Sequence, residues 1–266
     1  MQTWSKSISR GAVAWLASAA ACADDSGPNP DDPAVVPYRP SVSTPAQLSA
    51  PGWLELESGG LKADGPDRGT ARSSIPYTLK LAFTPDWGVR VGGEAWVRQV
   101  AGTGNPAVTG GGDTAVVLKR RFAVSEATAW GLELGETFAT ARTTLGLGHA
   151  ATTVNGIFSS DFAPSWHTDL NVNETRLGAS GGQARGWLAG WAAAFSRQLD
   201  ERWGAVGEWS GTHEAAAPNT AQFLGAASYA VCNAAVLDIG SAVGLTRATP
   251  RFQVFAGVTL RLGRLF

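Results

Sequence analysis

The chain has 266 residues, enough for one or two domains, and a formal net charge of −1 at pH 7 that argues against nucleic acid as a partner. It carries 33 Gly and 11 Trp but only 16% charged residues. That composition disfavours a water-soluble helical domain and suits many short strands joined by Gly-rich turns.

Residues 1–23 read as an export signal. "MQTWSKSISR" is positive through Lys6 and Arg10, "GAVAWLASAA" is a short apolar run, and "ACADD" offers a cut after Ala23. A buried N-terminal helix and an acylated Cys22 are the alternatives, although "AAA" before Cys22 lacks a bulky aliphatic residue. With the cut after Ala23, Cys232 stands alone and no intramolecular disulfide forms. No later run is apolar for 18 residues, so the chain offers no membrane-spanning helix beyond the signal. Residues 24–50 are rich in Pro and acid, read as unable to pack a core, and are assigned to an extended periplasmic lead-in.

From Pro51 to Phe266 the period is two. "GWLELE" sets Leu54 and Leu56 against Glu55 and Glu57, and "PYTLKLAF" sets Tyr77, Leu79, Leu81 and Phe83 against Lys80. "GVRVGGEAWV" sets Val89, Val91, Ala95 and Val97 against Arg90, Glu94 and Trp96. Twelve strands are expected, starting near residues 52, 75, 88, 112, 127, 150, 166, 186, 203, 220, 234 and 251. Tight turns such as "TPDWG", "AVSEA" and "LDERWG" alternate with long Gly- and Thr-rich connections such as "VAGTGNPAVTGGG". Short turns at one end and long loops at the other describe a closed antiparallel transmembrane β-barrel, all-β, with an even strand count. The last strand, "RFQVFAGVTLRLGRLF", ends on an aromatic with no tail, as a strand that pairs with the first to close the ring can do. Phe266 is similar to the terminal aromatic that barrel-insertion machinery is thought to read. Arg264, on the same parity, is expected to snorkel at the interface. Trp87, Trp130, Trp166 and Trp203 fall beside tight turns, where an interfacial aromatic girdle belongs. Packing in a soluble β-sandwich is the alternative for them.

Several segments resemble the family named "putative MetA-pathway of phenol degradation", outer-membrane barrels often labelled transporters. They are "PGWLELESG", "GDTAVVLKRRF", "HTDLNVNETRLG" with Asn171, "LDERWGAVGEWSG" with Glu208, and "YAVCNAAVLDIGSAVGL" with Asp238. The resemblance runs from about residue 51 to the end and departs from the family at "ELGETFATART". It implies passage of small, including aromatic, compounds.

If the apolar parity meets lipid, the other parity lines the lumen. The candidates are Glu55, Glu57, Lys80, Arg90, Glu94, Asp113 and Lys119, followed by Arg121, Glu133, Asp169, Asn171, Glu208, Asp238 and Arg261. They either set charge selectivity or form ion pairs within the wall. Small residues at Gly190, Ala192 and Ala194 leave room inside. No G-x-S-x-G and no H-E-x-x-H occurs, so neither an enzyme nor a metal or other cofactor is expected. His167 with Asp169 is the one conceivable His–carboxylate pair for a hydrolase. The partners expected are outer-membrane lipid, the insertion machinery and small solutes. The expected role is passage of small molecules across a Gram-negative outer membrane; a plugged structural or surface barrel is the alternative, and an outer-membrane hydrolase the third.

Overall fold

The computed structural model describes residues 32–67, 69–142, 144–178, 186–215 and 217–266. The alternating sequence forms thirteen strands: β1 (Trp53–Asp64), β2 (Thr70–Ala82), β3 (Trp87–Ala101), β4 (Val108–Gly110), β5 (Thr114–Ala123), β6 (Thr128–Phe138) and β7 (Ala151–Ala163). Then come β8 (Trp166–Leu177), β9 (Trp187–Gln198), β10 (Trp203–Glu214), β11 (Thr220–Cys232), β12 (Ala235–Gly244) and β13 (Phe252–Arg264). Every long strand pairs antiparallel with its sequence neighbours, and β13 pairs with β1 over Trp53–Asp64, so twelve strands close a ring. The three-residue β4 lies beside β3 at one rim. At one end the connections span two to four residues; at the other they run from five residues upward.

The seam is tight at residues 265 and 266. Leu265 donates its backbone N–H to the carbonyl of Gly52 (2.7 Å), next to the β1–β13 seam. Gly52 has φ +82°, and a Cβ there would lie 2.4 Å from the Phe266 carbonyl oxygen. Only glycine admits that approach.

The expected strand starts agree with the structure to within two residues except at β2, which begins at Thr70 rather than near 75. "TARSSIP" lacks apolar alternation and contains Pro76, both of which read as loop. The proline is accommodated because β3 carries an extra residue opposite it: Ile75 pairs with Trp96 and Pro76 with Glu94, leaving Ala95 as a bulge. The same bulge corrects a face assignment. Val97 does not share the outward face of Val89 and Val91; it is fully buried opposite Ser74.

Outward side chains are apolar and exposed, among them Leu132, Leu134, Val172, Ile239 and Leu262. The inward face carries much of the chain's buried charge, and it is filled in part by residues 33–50. For residues 33–50 the expectation of an extended periplasmic lead-in is therefore corrected; residues 24–31 of that segment lie outside the described residues. Residues 33–50 contain four prolines but no Asp or Glu, and Val35, Tyr38, Ser43, Ala46 and Ser49 among them are buried. Cys232 does not stand alone either: it is disulfide-bonded. The other cysteine, Cys22, and the whole expected signal segment lie outside the described residues.

Candidate functional site: a plugged lumen and its vestibule

Residues 32–50 enter at the short-turn end, rise into the barrel and return to the same end at β1. Val35 donates to the Asn233 carbonyl in the β11–β12 turn (2.9 Å), and Asp32 pairs with Arg261 (2.8 Å). On the return, Trp53 donates to the Ala50 carbonyl and Pro51 bridges to Ala82.

An extended Pro-rich segment makes few hydrogen bonds to itself, so its backbone groups must find partners when buried. Here the wall supplies them. Val36 donates to Glu55, while Tyr38 and Arg39 donate to Glu57 (2.7 and 3.2 Å). Val42 and Ser43 donate to Glu208 (3.1 and 2.9 Å), and the Ser43 hydroxyl adds a third bond (2.8 Å). Thr44 and Asn171 exchange two bonds, N–H to Oδ1 at 2.9 Å and Nδ2 to the carbonyl at 3.0 Å, as a strand partner would. Ala46 donates to Ser159 Oγ (2.7 Å), which donates to Asp169.

Side chains complete the seal. Lys80 pairs with Glu55 and Glu57 (3.0 and 2.5 Å) and donates to the Val36 carbonyl. Arg39 forms a two-point pair with Asp238, both contacts at 3.0 Å. The Tyr38 ring lies between two ammonium groups, Lys80 at 4.2 Å and Lys119 at 4.3 Å from its centroid. Lys119 also reaches the Pro45 carbonyl and Glu133. Ala46 packs on Ala129 and Ile157. The gap left beside Tyr38, Lys80 and Lys119 is about 10 Å³, barely room for one water.

Most lumen-lining candidates therefore meet this internal segment. Glu55, Glu57, Lys80, Lys119, Glu133, Asn171, Glu208, Asp238 and Arg261 contact it directly, and Asp169 does so through Ser159. Arg90 pairs with Glu133 (3.0 Å), and Glu94 pairs with Arg72. Arg121 lies on the inward parity of β5, and its Nε is buried with no partner among the described residues. Asp113 is a correction: it precedes β5 in a loop at the long-loop rim. Its carboxylate accepts the N–H groups of Ala141 and Leu147 (3.0 and 2.6 Å), which fixes the β6–β7 connection. Sequence reading missed Tyr38, Arg39, Ser43 and Ser159. The available signal was the absence of any acid between Asp32 and Glu55 beside a wall rich in carboxylates.

Above the internal segment is a cavity of about 510 Å³. Val42 and Thr44 form its floor with Arg90 and Glu133, and its walls rise through Asn171, Asn173, Thr212 and Gln222 to Thr249 and Gln253. Gly190, Ala192 and Gly211 border it, so small residues do leave room inside. Ala194 is buried lower down, opposite Asp169.

The aromatics Trp130, Trp166, Trp203 and Phe266 are exposed at the short-turn end, and Trp87 opens β3 there beneath the Arg120 guanidinium (5.0 Å). Trp187, first residue of β9, is exposed at the opposite end. Arg264 is exposed and donates to the Phe266 carbonyl oxygen (2.8 Å). His167 sits between Asp161 (2.6 Å) and Asp169 (3.1 Å). Ser159 donates to Asp169 rather than to His167, so these groups do not form the serine–histidine contact a hydrolase needs. Among the described residues no cluster of metal-ligating side chains occurs.

No protein-family model and no curated protein matches the chain. Solved structures do. An outer-membrane channel from Pseudomonas putida F1 aligns at 12% identity and TM-score 0.66, covering 82% of this chain and 98% of that one. The NanC porin aligns at 8% identity and TM-score 0.58, covering 79% and 100%. The KdgM porin, solved with disordered oligogalacturonate, aligns at 6% identity and TM-score 0.57, covering 79% and 99%. At these identities the likeness is one of fold: this chain has the closed β-barrel of outer-membrane channels and porins.

Proposed function

We propose that the protein is an outer-membrane channel for small solutes in a Gram-negative bacterium, with a lumen closed by its own residues 33–50 until they are displaced. The observation that carries this reading is the division of the interior. One part is a cavity of about 510 Å³; the other is filled by a segment held to the wall through reversible hydrogen bonds and ion pairs. The apolar outward face, the aromatic ends and the shared fold support membrane placement, with the short-turn end toward the periplasm. Recognition of Phe266 by insertion machinery completes the proposed route to the membrane. Membership of the MetA-pathway family rests on the segments quoted above, and passage of aromatic compounds would follow from it. A sealed barrel with a structural role is the second reading, favoured by the nearly space-free half around Tyr38.

Swelling of proteoliposomes in small solutes separates the two. Removal of residues 33–49 is expected to raise the swelling rate at least tenfold over the full chain. An unchanged rate in a correctly folded deletion would favour the sealed barrel.

A further inference from the structure

We infer that the vestibule is a binding site for a neutral polyhydroxylated solute, of the size of a mono- or disaccharide. This rests on the channel reading only for how the solute arrives. The volume of about 510 Å³ lies within the range of small-molecule sites. Besides Arg90 and Glu133, the polar side chains on its boundary are mostly carboxamides and hydroxyls, each able to donate and accept, set among apolar residues such as Val42, Ala192, Ala221 and Pro250. Asn171 and Asn173 on β8 face Asn155 on β7, while Gln222 and Gln253 meet across β11 and β13 (2.7 Å). Gln222 also donates to Ser210 (3.2 Å).

The two charged residues on the boundary, Arg90 and Glu133, pair with each other at 3.0 Å, and Lys119, which also stands 3.4 Å from Glu133, lies below the boundary beside Tyr38. An anionic or cationic solute thus meets no unpaired charge on the boundary. An aromatic solute finds no ring to stack on. Trp191, the aromatic residue on the boundary, stands between buried Gly190 and Ala192 on the outward parity and is 45% exposed.

The test is equilibrium dialysis of the refolded full chain in detergent, with heat-modifiable gel migration as the folding control. The probes are radiolabelled galactose and lactose, galacturonate as the same ring with a charge, and catechol. Saturable binding of a neutral sugar is expected, with galacturonate at least tenfold weaker and catechol not retained. The double variant Asn173→Leu/Gln253→Leu, which touches no anchor of residues 33–50, is expected to lose at least tenfold in affinity. No sugar retention by the folded protein, a water-filled vestibule only, would overturn the inference, as would preference for galacturonate or catechol or unaltered binding by the double variant. The failures are distinguishable: solute passage without sugar binding removes this site and leaves the channel. Sugar binding without passage, even after residues 33–49 are deleted, removes the channel and leaves the site.

Discussion

Glu208 offers the sharpest single perturbation. Its side chain is fully buried on β10, and no cation among the described residues lies within ion-pair distance. Its carboxylate is compensated by the Val42 N–H, the Ser43 N–H and the Ser43 hydroxyl, with Ser210 beside it. These bonds hold the highest point of the internal segment. At about 1 kcal/mol net for each of three bonds, Glu208→Ala weakens docking by about 3 kcal/mol. Each 1.4 kcal/mol is a factor of ten, so the undocked population rises about a hundredfold. Ser49→Cys reports undocking, because Ser49 is buried and lies beyond the altered contact. In the regime where closing outpaces labelling, the maleimide rate follows the open population. The expected result is labelling about a hundredfold faster in Ser49→Cys/Glu208→Ala than in Ser49→Cys alone, with heat-modifiability retained. Rates within threefold of one another would refute the view that this carboxylate holds the segment in place.

Other outcomes follow from the same contacts. Lys80→Met leaves Glu55 and Glu57 without their shared cation, and breaking such a buried pair costs about 3–5 kcal/mol; the midpoint of urea unfolding in detergent should fall, and an unmoved midpoint would show the pair to be dispensable. Gly52→Val brings a side chain against the Phe266 carbonyl at a positive φ; the folded, fast-migrating band should lose heat resistance, and wild-type resistance would count against a tight seam. The Asp200 carboxyl in the β9–β10 turn accepts the N–H groups of Arg202 and Trp203 (both 2.8 Å), and these hold it below its ordinary 3.8. Its stabilisation of the turn is therefore complete above the ordinary value and disappears as pH falls through the lowered one. Carboxyl NMR titration should place its midpoint below 3.8. A midpoint at or above that value would deny the turn geometry.

Much of the barrel was legible because its determinants are local. Period-two alternation, Trp-Gly after acidic turns and the contrast of short and long connections are each read within a few residues, and β6 through β13 begin within a residue of their expected places. Inward parity was legible for the same reason, which is why Glu57, Lys119 and Glu208 were identified as lining residues. Their partners were not. Arg39 meets Asp238 across 199 residues of chain and Ser43 meets Glu208 across 165, with no periodic pattern in residues 33–50 to announce either contact. The prolines that argued against a packed core are compatible with burial because they remove donors, while eight of the nine remaining N–H groups from Val35 to Ala46 find the acceptors described above. The bulge at Ala95 was hidden because one inserted residue changes a face without disturbing composition. Asp113 kept the inward parity in sequence, but the strand begins one residue later, and its carboxylate turns to a neighbouring loop.

Single-channel recording in planar bilayers tests the central claim most directly, comparing the full chain with the chain lacking residues 33–49. The account predicts rare or small steps for the full chain and large, sustained steps for the deletion. Equal conductance in two folded, heat-modifiable proteins would contradict it, because the internal segment would then not be what closes the lumen.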